Sequence, residues 1–588
     1  MYNKSRSLML FYFHIKVVIL ITIFCFFALS LFGKESDFNQ QKLIDEFWFF
    51  SNQKNYDKAI SAMEKYLEKQ PSSFYEYQLG KAYLFSGKEL DKAEQIFLNF
   101  IQNYENLDDK QDLSLWGGYW RLGMVYEAMD NLDKAKEYYQ KGLDVEKNDM
   151  CKYALKNLGK NTDFNKQLTE DEKLCYFFKV WHYCNDFFAF FDQVDLDWEK
   201  VKMEYLPKVK ATKNNEEFYW LMTEMLALLK DGHTKVNVQG LWRPSFIYTK
   251  IIDDNVYFIK DESYRKNAIS YGDKILKINN IPVIDAIEKT KKYISGSTEQ
   301  WITSRLENNR SFINFNNCDS VTIEYEHNGK ILTETIYPSP EKSKEKPPYV
   351  ESKILENNIG YIAVNSMYPT EEITPLFDSA LDSLFNTKAL IIDIRNNGGG
   401  SSGTGFHIIT RISNKPLPVF KSKVRIYSVD MFDKWFSDEE MFDVFYSVYQ
   451  GIFPDTTETN KEGLLEKFKN CEYFVLQPRP PIYDKPIVVL IGPKTFSAAE
   501  DFLAPLHGTD RVTLIGKPTG GSTGQPLFIR LNNEFSVRIC ARRCWCADGY
   551  EFVGKGFIPD IEVEETIEDI ISGKDVTLER AILYLENR

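Results

Sequence analysis

Two short segments of this 588-residue chain carry residue types that together could perform acyl transfer. The apolar run Ile487–Ile491 empties into Gly492-Pro493-Lys494-Thr495-Phe496-Ser497-Ala498-Ala499-Glu500, which places a serine on the turn from a strand into a helix. A hydroxyl there is exposed, and the free amides of the helix point at whatever it attacks. The second segment, Ala389–Arg395, is strand-like and ends in Asn396-Asn397-Gly398-Gly399-Gly400. Its glycines offer a backbone that a substrate carbonyl can approach closely. A nucleophile and an anion-stabilising loop are the two halves of acyl-transfer chemistry, so the pair points to a serine hydrolase.

These segments must be held by an element that buries strands on both faces. Residues 350–570 alternate apolar strands (Ile359–Val364, Ala389–Ile394, Ile487–Ile491, Thr513–Ile515, Phe535–Ile539) with helical stretches. That pattern predicts an α/β core with a largely covered sheet. Within it, 420–480 reads as an insertion or lid dense in Phe and Tyr. The chain is too long for one core, and 43% hydrophobic with 15% aromatic residues can fill several. Its formal charge of −13 argues against a nucleic-acid binder, which would need a basic face.

Residues 38–165 read as helical repeats. Asp57-Lys58-Ala59, Asp91-Lys92-Ala93 and Asp133-Lys134-Ala135 recur in similar surroundings, the first two 34 residues apart and the second two 42, as if a loop were inserted around 108–115. A 34-residue helix-turn-helix period is the tetratricopeptide signature, and stacked pairs make a concave surface suited to a protein partner. Residues 170–240 form a second helical block whose aromatic stripe (Phe177, Phe178, Trp181, Phe187, Phe188, Phe190, Phe191) is expected to be core. Residues 245–340 are β-rich, and Ser270–Val283 resembles the segment of PDZ domains in which a Gly-Asp turn opens a strand; a chain end could bind there by strand addition. Residues 339–349 are a charged, proline-containing linker.

Residues 1–33 read as a signal peptide or membrane anchor. Lys4 and Arg6 precede an apolar stretch of 16 residues from Val17 to Phe32, with no acidic residue before Glu35. The stretch is short for a membrane span, and Ala28-Leu29-Ser30 offers a cleavage site. In either case the body is expected to be exported, periplasmic or extracellular. Nine cysteines are too few for a disulfide scaffold. The cluster Cys540, Cys544 and Cys546 matches no zinc spacing, so strand cysteines or a single disulfide are expected, with no metal and no cofactor.

Taken in order, the Leu229–Val236 segment with its Gly-His, the PDZ-like unit, Asp393–Gly400 and Thr495–Glu500 resemble the tail-specific (C-terminal-processing) serine peptidases. The resemblance is to the branch that includes the tricorn protease core. Gly516-Lys517-Pro518-Thr519-Gly520-Gly521 and the ending Gly554–Ile561 also fit, so the likeness spans roughly 170–565, with the repeats outside it. It implies a multidomain protein: a tetratricopeptide-like array, a helical subdomain, a PDZ-like β domain and a ClpP/crotonase-like α/β peptidase core. It implies Ser497 as nucleophile, with the amides of Ala498 and a glycine of 398–400, Gly399 being favoured, as oxyanion hole.

The family uses two bases. One branch has a lysine about 25 residues after the serine; here Ser522 stands in that place, and Lys517 lies two residues off the expected position. The tricorn-like branch uses a histidine, and His233 occupies its position. The carboxylate that orients such a histidine falls at Val553 in the family pattern; Glu551 could substitute from the same strand face, with Glu500 and Asp231 as further candidates. The family's serine before the histidine is replaced by Gly232. The expected function is an exported serine endopeptidase acting on polypeptides. The alternative is a non-catalytic binding scaffold, as in interphotoreceptor retinoid-binding modules. A carboxyl-ester hydrolase is weaker, since Ser497 lacks the Gly-x-Ser-x-Gly elbow.

Overall fold

The computed structural model describes residues 40–48, 50–51, 55–107, 113–146, 149–156, 158, 167–238, 241, 247–261, 269–307, 320–336, 347–419, 421–424, 475–524, 526–532 and 535–588. The leader at 1–33, most of the insertion at 420–480 and most of the loop around 108–115 fall outside these residues. The chain divides into two compact units, one ending at Lys166 and the other beginning at Gln167.

The first unit is built from helices Tyr56–Leu67, Ser73–Ser86, Leu90–Asn103, Leu115–Ala128, Leu132–Val145 and Asp149–Lys156. Four of them begin on a side-chain cap, from Asn55, Ser72, Ser114 and Asn131, which satisfies an orphan amide of the first turn. The recurring alanines Ala59, Ala93 and Ala135 are wholly buried.

In the second unit, helices Glu170–Phe187, Trp198–Ala211 and Asn215–Ala227 come first. Thr169 and Glu172 cap the first of these reciprocally. Phe177, Trp181, Phe187, Phe188 and Phe190 are core as expected, whereas Phe178 is 43% exposed because it faces away from the packed side. The segment expected to be PDZ-like folds as an antiparallel sheet in the order Ile247–Ile252, Asn255–Asp261, Lys274–Ile278, Val321–His327, Lys330–Ile336. Helix Val283–Lys291 follows its third strand and contributes Val283, Ala286 and Ile287 to the core of this domain.

The remainder surrounds one six-stranded sheet. Strand β1 (Lys235–Val238) leads in from the helical block; the sheet itself uses β2 (Val350–Leu355), β3 (Ile359–Val364), β4 (Ala389–Asp393), β5 (Ile487–Ile491), β6 (Thr513–Gly516) and, later, β9 (Ile561–Glu562). Their order is β9-β6-β5-β4-β3-β2, with every pair parallel except the antiparallel β2–β3 edge. Every residue of β4 and β5 is buried, as their near-continuous apolar sequences require of a sheet covered on both faces. The strand expected at Phe535–Ile539 does form, as β8 (Phe535–Cys540), but outside this sheet. It pairs antiparallel with β1 and with β7 (Pro526–Arg530).

This topology positions the site. In parallel sheets, ligands bind beyond the carboxyl ends of the strands. Beyond β4 lies the 396–400 glycine loop, beyond β5 the turn to Ser497, and beyond β6 the 517–523 loop. The β1–β8 pairing brings residues just before β1, His233 among them, to the same edge. Among the described residues, Cys540, Cys544 and Cys546 are free, buried thiols, and no helix is long and apolar enough to cross a membrane.

Candidate active site

Ser497 is the residue immediately before helix Ala498–Leu503 and has φ 58° and ψ −125°. A positive φ is uncommon outside glycine and stores backbone strain, which persists only where surrounding contacts over-determine it. Those contacts are present. Thr495 Oγ1 donates to Ile394 O at 2.9 Å, the Phe496 N–H donates to Asn397 O at 3.1 Å, and the Ser497 N–H donates to Ser522 O at 3.1 Å. The Gly520 N–H in turn donates to Thr495 O at 2.9 Å. The three loops at the sheet edge are thus one hydrogen-bonded body.

The structure brings Ser497 and His233 together: His233 Nε2 lies 2.9 Å from Ser497 Oγ. His233 is 3% exposed, and burial together with Arg538, Lys235 and Arg542 holds its pKa well below the ordinary 6.5. The imidazole is therefore neutral at neutral pH, the state in which a nitrogen can take a proton. Its ring is stacked on Phe496 (centroids 4.8 Å apart, 14° between planes), and Phe496 is stacked on Trp301 (3.9 Å, 12°). Gly232 is where the chain must have no side chain, because a Cβ there would sit 2.7 Å from the Phe496 ring. That explains why a serine cannot precede the histidine in this chain.

Trp301 belongs to helix Glu299–Leu306, whose start is tied to the 519–521 loop. Thr298 Oγ1 donates to Gly520 O at 2.8 Å and Gln300 Nε2 to Thr519 O at 2.9 Å. The ring stack therefore reaches the imidazole from a segment that sequence reading did not single out. An aromatic on an amphipathic helix carries the same pattern as a core residue, so no signal marked it.

The glycine loop touches the nucleophile. Gly399 has φ 100°, and a Cβ on it would lie 2.7 Å from both Phe496 O and Ser497 Cβ, so only glycine lets the two loops meet. The Gly399 N–H, expected to serve the oxyanion hole, is instead donated to Asn397 Oδ1 at 2.9 Å. A short polar side chain two residues upstream closes this turn and accepts that hydrogen bond. Among the described residues the N–H groups of Ala498 and Gly398 meet no acceptor.

Glu551, expected to orient His233, does not reach it. It forms a bidentate pair with Arg543, whose Nη2 donates to Glu551 Oε2 at 2.8 Å and whose Nη1 also bonds Asp192. A guanidinium eight residues earlier outcompetes the imidazole for that carboxylate. Lys517 is likewise removed from the site, paired with Glu564 at 2.6 Å. His233 Nδ1 lies 2.8 Å from Ser522 Oγ, and Ser522 Oγ donates to Asp231 Oδ1 at 2.9 Å.

Glu500, the third residue of the helix after Ser497, accepts from the N–H groups of Ser497 (3.3 Å), Gly521 (2.8 Å) and Ser522 (3.0 Å) and from Thr519 Oγ1. Burial pushes its pKa up to about 8, against those four donors. His507, Cys546 and Asp548 are the one group of three metal-type side chains close together among the described residues, and it includes neither Ser497 nor His233.

Residues 358–563 match the model described as Peptidase family S41, residues 169–227 that of the Tricorn protease C1 domain, and residues 117–149 that of a tetratricopeptide repeat. A protein of Chlamydia muridarum is 25% identical over 268 residues, which are 38% of this chain and 44% of that protein. The carboxy-terminal processing protease CtpA of Bacillus subtilis is 23% identical over 403 residues, 64% of this chain and 69% of that one. Mature CPAF superposes with a TM-score of 0.53 at 16% identity, over 71% of this chain and 96% of that chain. The match covers less than half the length of the first curated relatives, all chlamydial. The matches place a peptidase-family domain on residues 358–563, and mature CPAF shares the fold. More narrowly, residues 358–563 carry the likeness to Peptidase family S41, with a Tricorn protease C1 match and a tetratricopeptide-repeat match ahead of them.

The strain at position 497 is measurable apart from any activity. Glycine adopts the observed φ and ψ freely, so Ser497→Gly is expected to be more stable than Ser497→Ala by about 1–3 kcal/mol. Denaturant unfolding of the two variants reads the difference; equal midpoints would show that the turn is unstrained.

Proposed function

We propose that this chain is a serine endopeptidase in which His233 deprotonates Ser497. The observation that carries this reading is the 2.9 Å contact between His233 Nε2 and Ser497 Oγ, made by a buried, neutral imidazole. Ser497 Oγ forms a bond to the peptide carbonyl carbon as its proton passes to Nε2. The oxyanion that develops is met by the free Ala498 N–H and an N–H of the 398–400 loop, where Gly398 has its proton available. Collapse transfers the proton from Nε2 to the leaving amine, and water then releases the acyl group by the same path in reverse.

A polypeptide substrate is supported by the likeness to a carboxy-terminal processing protease and by the absence of the ester-hydrolase elbow around Ser497. The sheet at 247–336 offers a place for a chain end to add as a strand, and the repeat unit a surface for a protein partner. The likeness to that bacterial protease and the basic-then-apolar leader support export.

Wild type, Ser497→Ala and His233→Ala compared on a denatured protein substrate test the mechanism. Each variant is expected to lose activity by at least about 10⁴-fold, since nucleophile and base act as a unit. Undiminished cleavage by either variant would overturn the assignment.

The acid limb of the rate is a second test. The base works only when neutral, and its pKa lies below 6.5, so kcat/KM on a substrate without titrating groups is expected to stay level as pH falls through 6.5 and to decline only below it. Stability has its own dependence. The unfolded imidazole binds a proton below about pH 6.5 that the native site refuses, so stability falls as pH drops through that value. Melting curves at each pH separate lost fold from lost rate; a rate that halves near 6.5 with the fold intact would contradict a buried base.

A further inference from the structure

We propose that Ser522 and Asp231 form a hydroxyl-bridged positioning pair for His233, in place of a carboxylate bonded directly to the imidazole. The proposal rests on the reading of His233 as general base and adds what holds it in the basic tautomer.

Hydrogen-bond accounting carries the argument. Ser522 Oγ has one proton and two neighbours, Asp231 Oδ1 at 2.9 Å and His233 Nδ1 at 2.8 Å. An ionised carboxylate only accepts, so the hydroxyl proton goes to Asp231. The serine oxygen then presents a lone pair to Nδ1, which must carry the imidazole proton, and Nε2 is left bare toward Ser497 Oγ. The other carboxylate oxygen is committed in the same sense. Thr234 Oγ1 accepts from the Cys540 N–H at 3.0 Å and donates to Asp231 Oδ2, 2.6 Å away. The backbone N–H groups of His233 and Thr234 also bond Asp231. Burial pushes the Asp231 pKa up, and the bonds that its neighbours donate oppose that push. Arg538 lies within electrostatic reach and favours the anion.

The geometry of the chain explains the bridge. Asp231 and His233 lie in one turn, closed by the Thr234 N–H donating to Asp231 O at 3.2 Å. Ser522 enters from the β6 loop and is fixed at both its backbone atoms: its N–H donates to Glu500 Oε2 and its carbonyl accepts from the Ser497 N–H. Asp231, His233 and Ser522 are 1%, 3% and 0% exposed, so no water competes for these bonds. During attack one proton moves, from Ser497 Oγ to Nε2. The Nδ1–H stays on the imidazolium and the Ser522 proton stays on its oxygen, with Asp231 stabilising the cation through the bridge.

Two readouts test this on the full chain: the ¹⁵N resonances of His233 in histidine-labelled protein, and kcat against KM on a peptide substrate, for wild type, Ser522→Ala, Ser522→Thr and Asp231→Asn. The wild type is expected to carry its proton on Nδ1. Asp231→Asn can turn its amide N–H toward Ser522, reverse the hydroxyl and shift the proton to Nε2, lowering kcat by about 10²–10⁴-fold with KM nearly unchanged. Ser522→Ala is expected to lose the tautomer preference and most of kcat, and Ser522→Thr, which keeps the hydroxyl, to retain both. An Nε2-protonated wild type, or a Ser522→Ala variant with wild-type kcat and tautomer, would overturn the proposal. If Asp231→Asn does not fold, the Ala and Thr pair at 522 still decides it. A wild type that cleaves nothing refutes the peptidase reading instead, and the tautomer measurement remains decisive for the bridge.

Discussion

One buried carboxylate holds the catalytic edge together. Glu500 accepts four bonds, from the Ser497 N–H that opens the nucleophile helix and from Thr519, Gly521 and Ser522 on the loop after β6. It therefore couples the element that carries the nucleophile to the element that touches the far side of the base. Burial raises the cost of its charge, and the four donors offset part of that cost only while both loops stay in place. The positive φ of Ser497, the fixed position of Ser522 and, through Ser522, the setting of His233 all depend on this one group.

Around it the sheet does the coarse positioning. Three adjacent parallel strands end at one edge, so loops about a hundred residues apart in sequence are neighbours. The pairing of β1 with β8 delivers His233 from the helical block to that edge. The ring stack of Trp301, Phe496 and His233 then adds lateral restraint, since offset aromatic faces resist tilting of the imidazole. Rigid elements thus carry the parts, and polar contacts between loops set the last tenths of an ångström.

How much of this was legible follows from the range of each interaction. β4 and β5 announced themselves, because runs of four and five consecutive apolar residues have one stable home in a doubly covered sheet. Ser497 was legible from the strand, the turn and the helix around it. His233 was found only through family resemblance; nothing local in Asp231-Gly232-His233 says that it meets a serine 264 residues later. Glu551 was misplaced because strand alternation gives the face of a side chain and not its partner, and Arg543 had the stronger claim. The state of the Gly399 N–H was hidden for a related reason, since the side chain of Asn397 decides which amide of a glycine run is spent inside the turn. Ser522 was noticed as the residue standing where a lysine was expected, yet its bonds to His233 and Asp231 join three segments, which only coordinates show.

The central claim is that Ser497 is a nucleophile activated by His233. The most direct measurement is mass-spectrometric mapping of the adduct left by a fluorophosphonate on the folded protein. The account predicts one modified peptide, carrying the phosphonyl group on Ser497, and its loss in His233→Ala with the fold intact. Cleavage of a protein substrate by wild type with Ser497 unmodified, or equal labelling of Ser497 when His233 is absent, would contradict it.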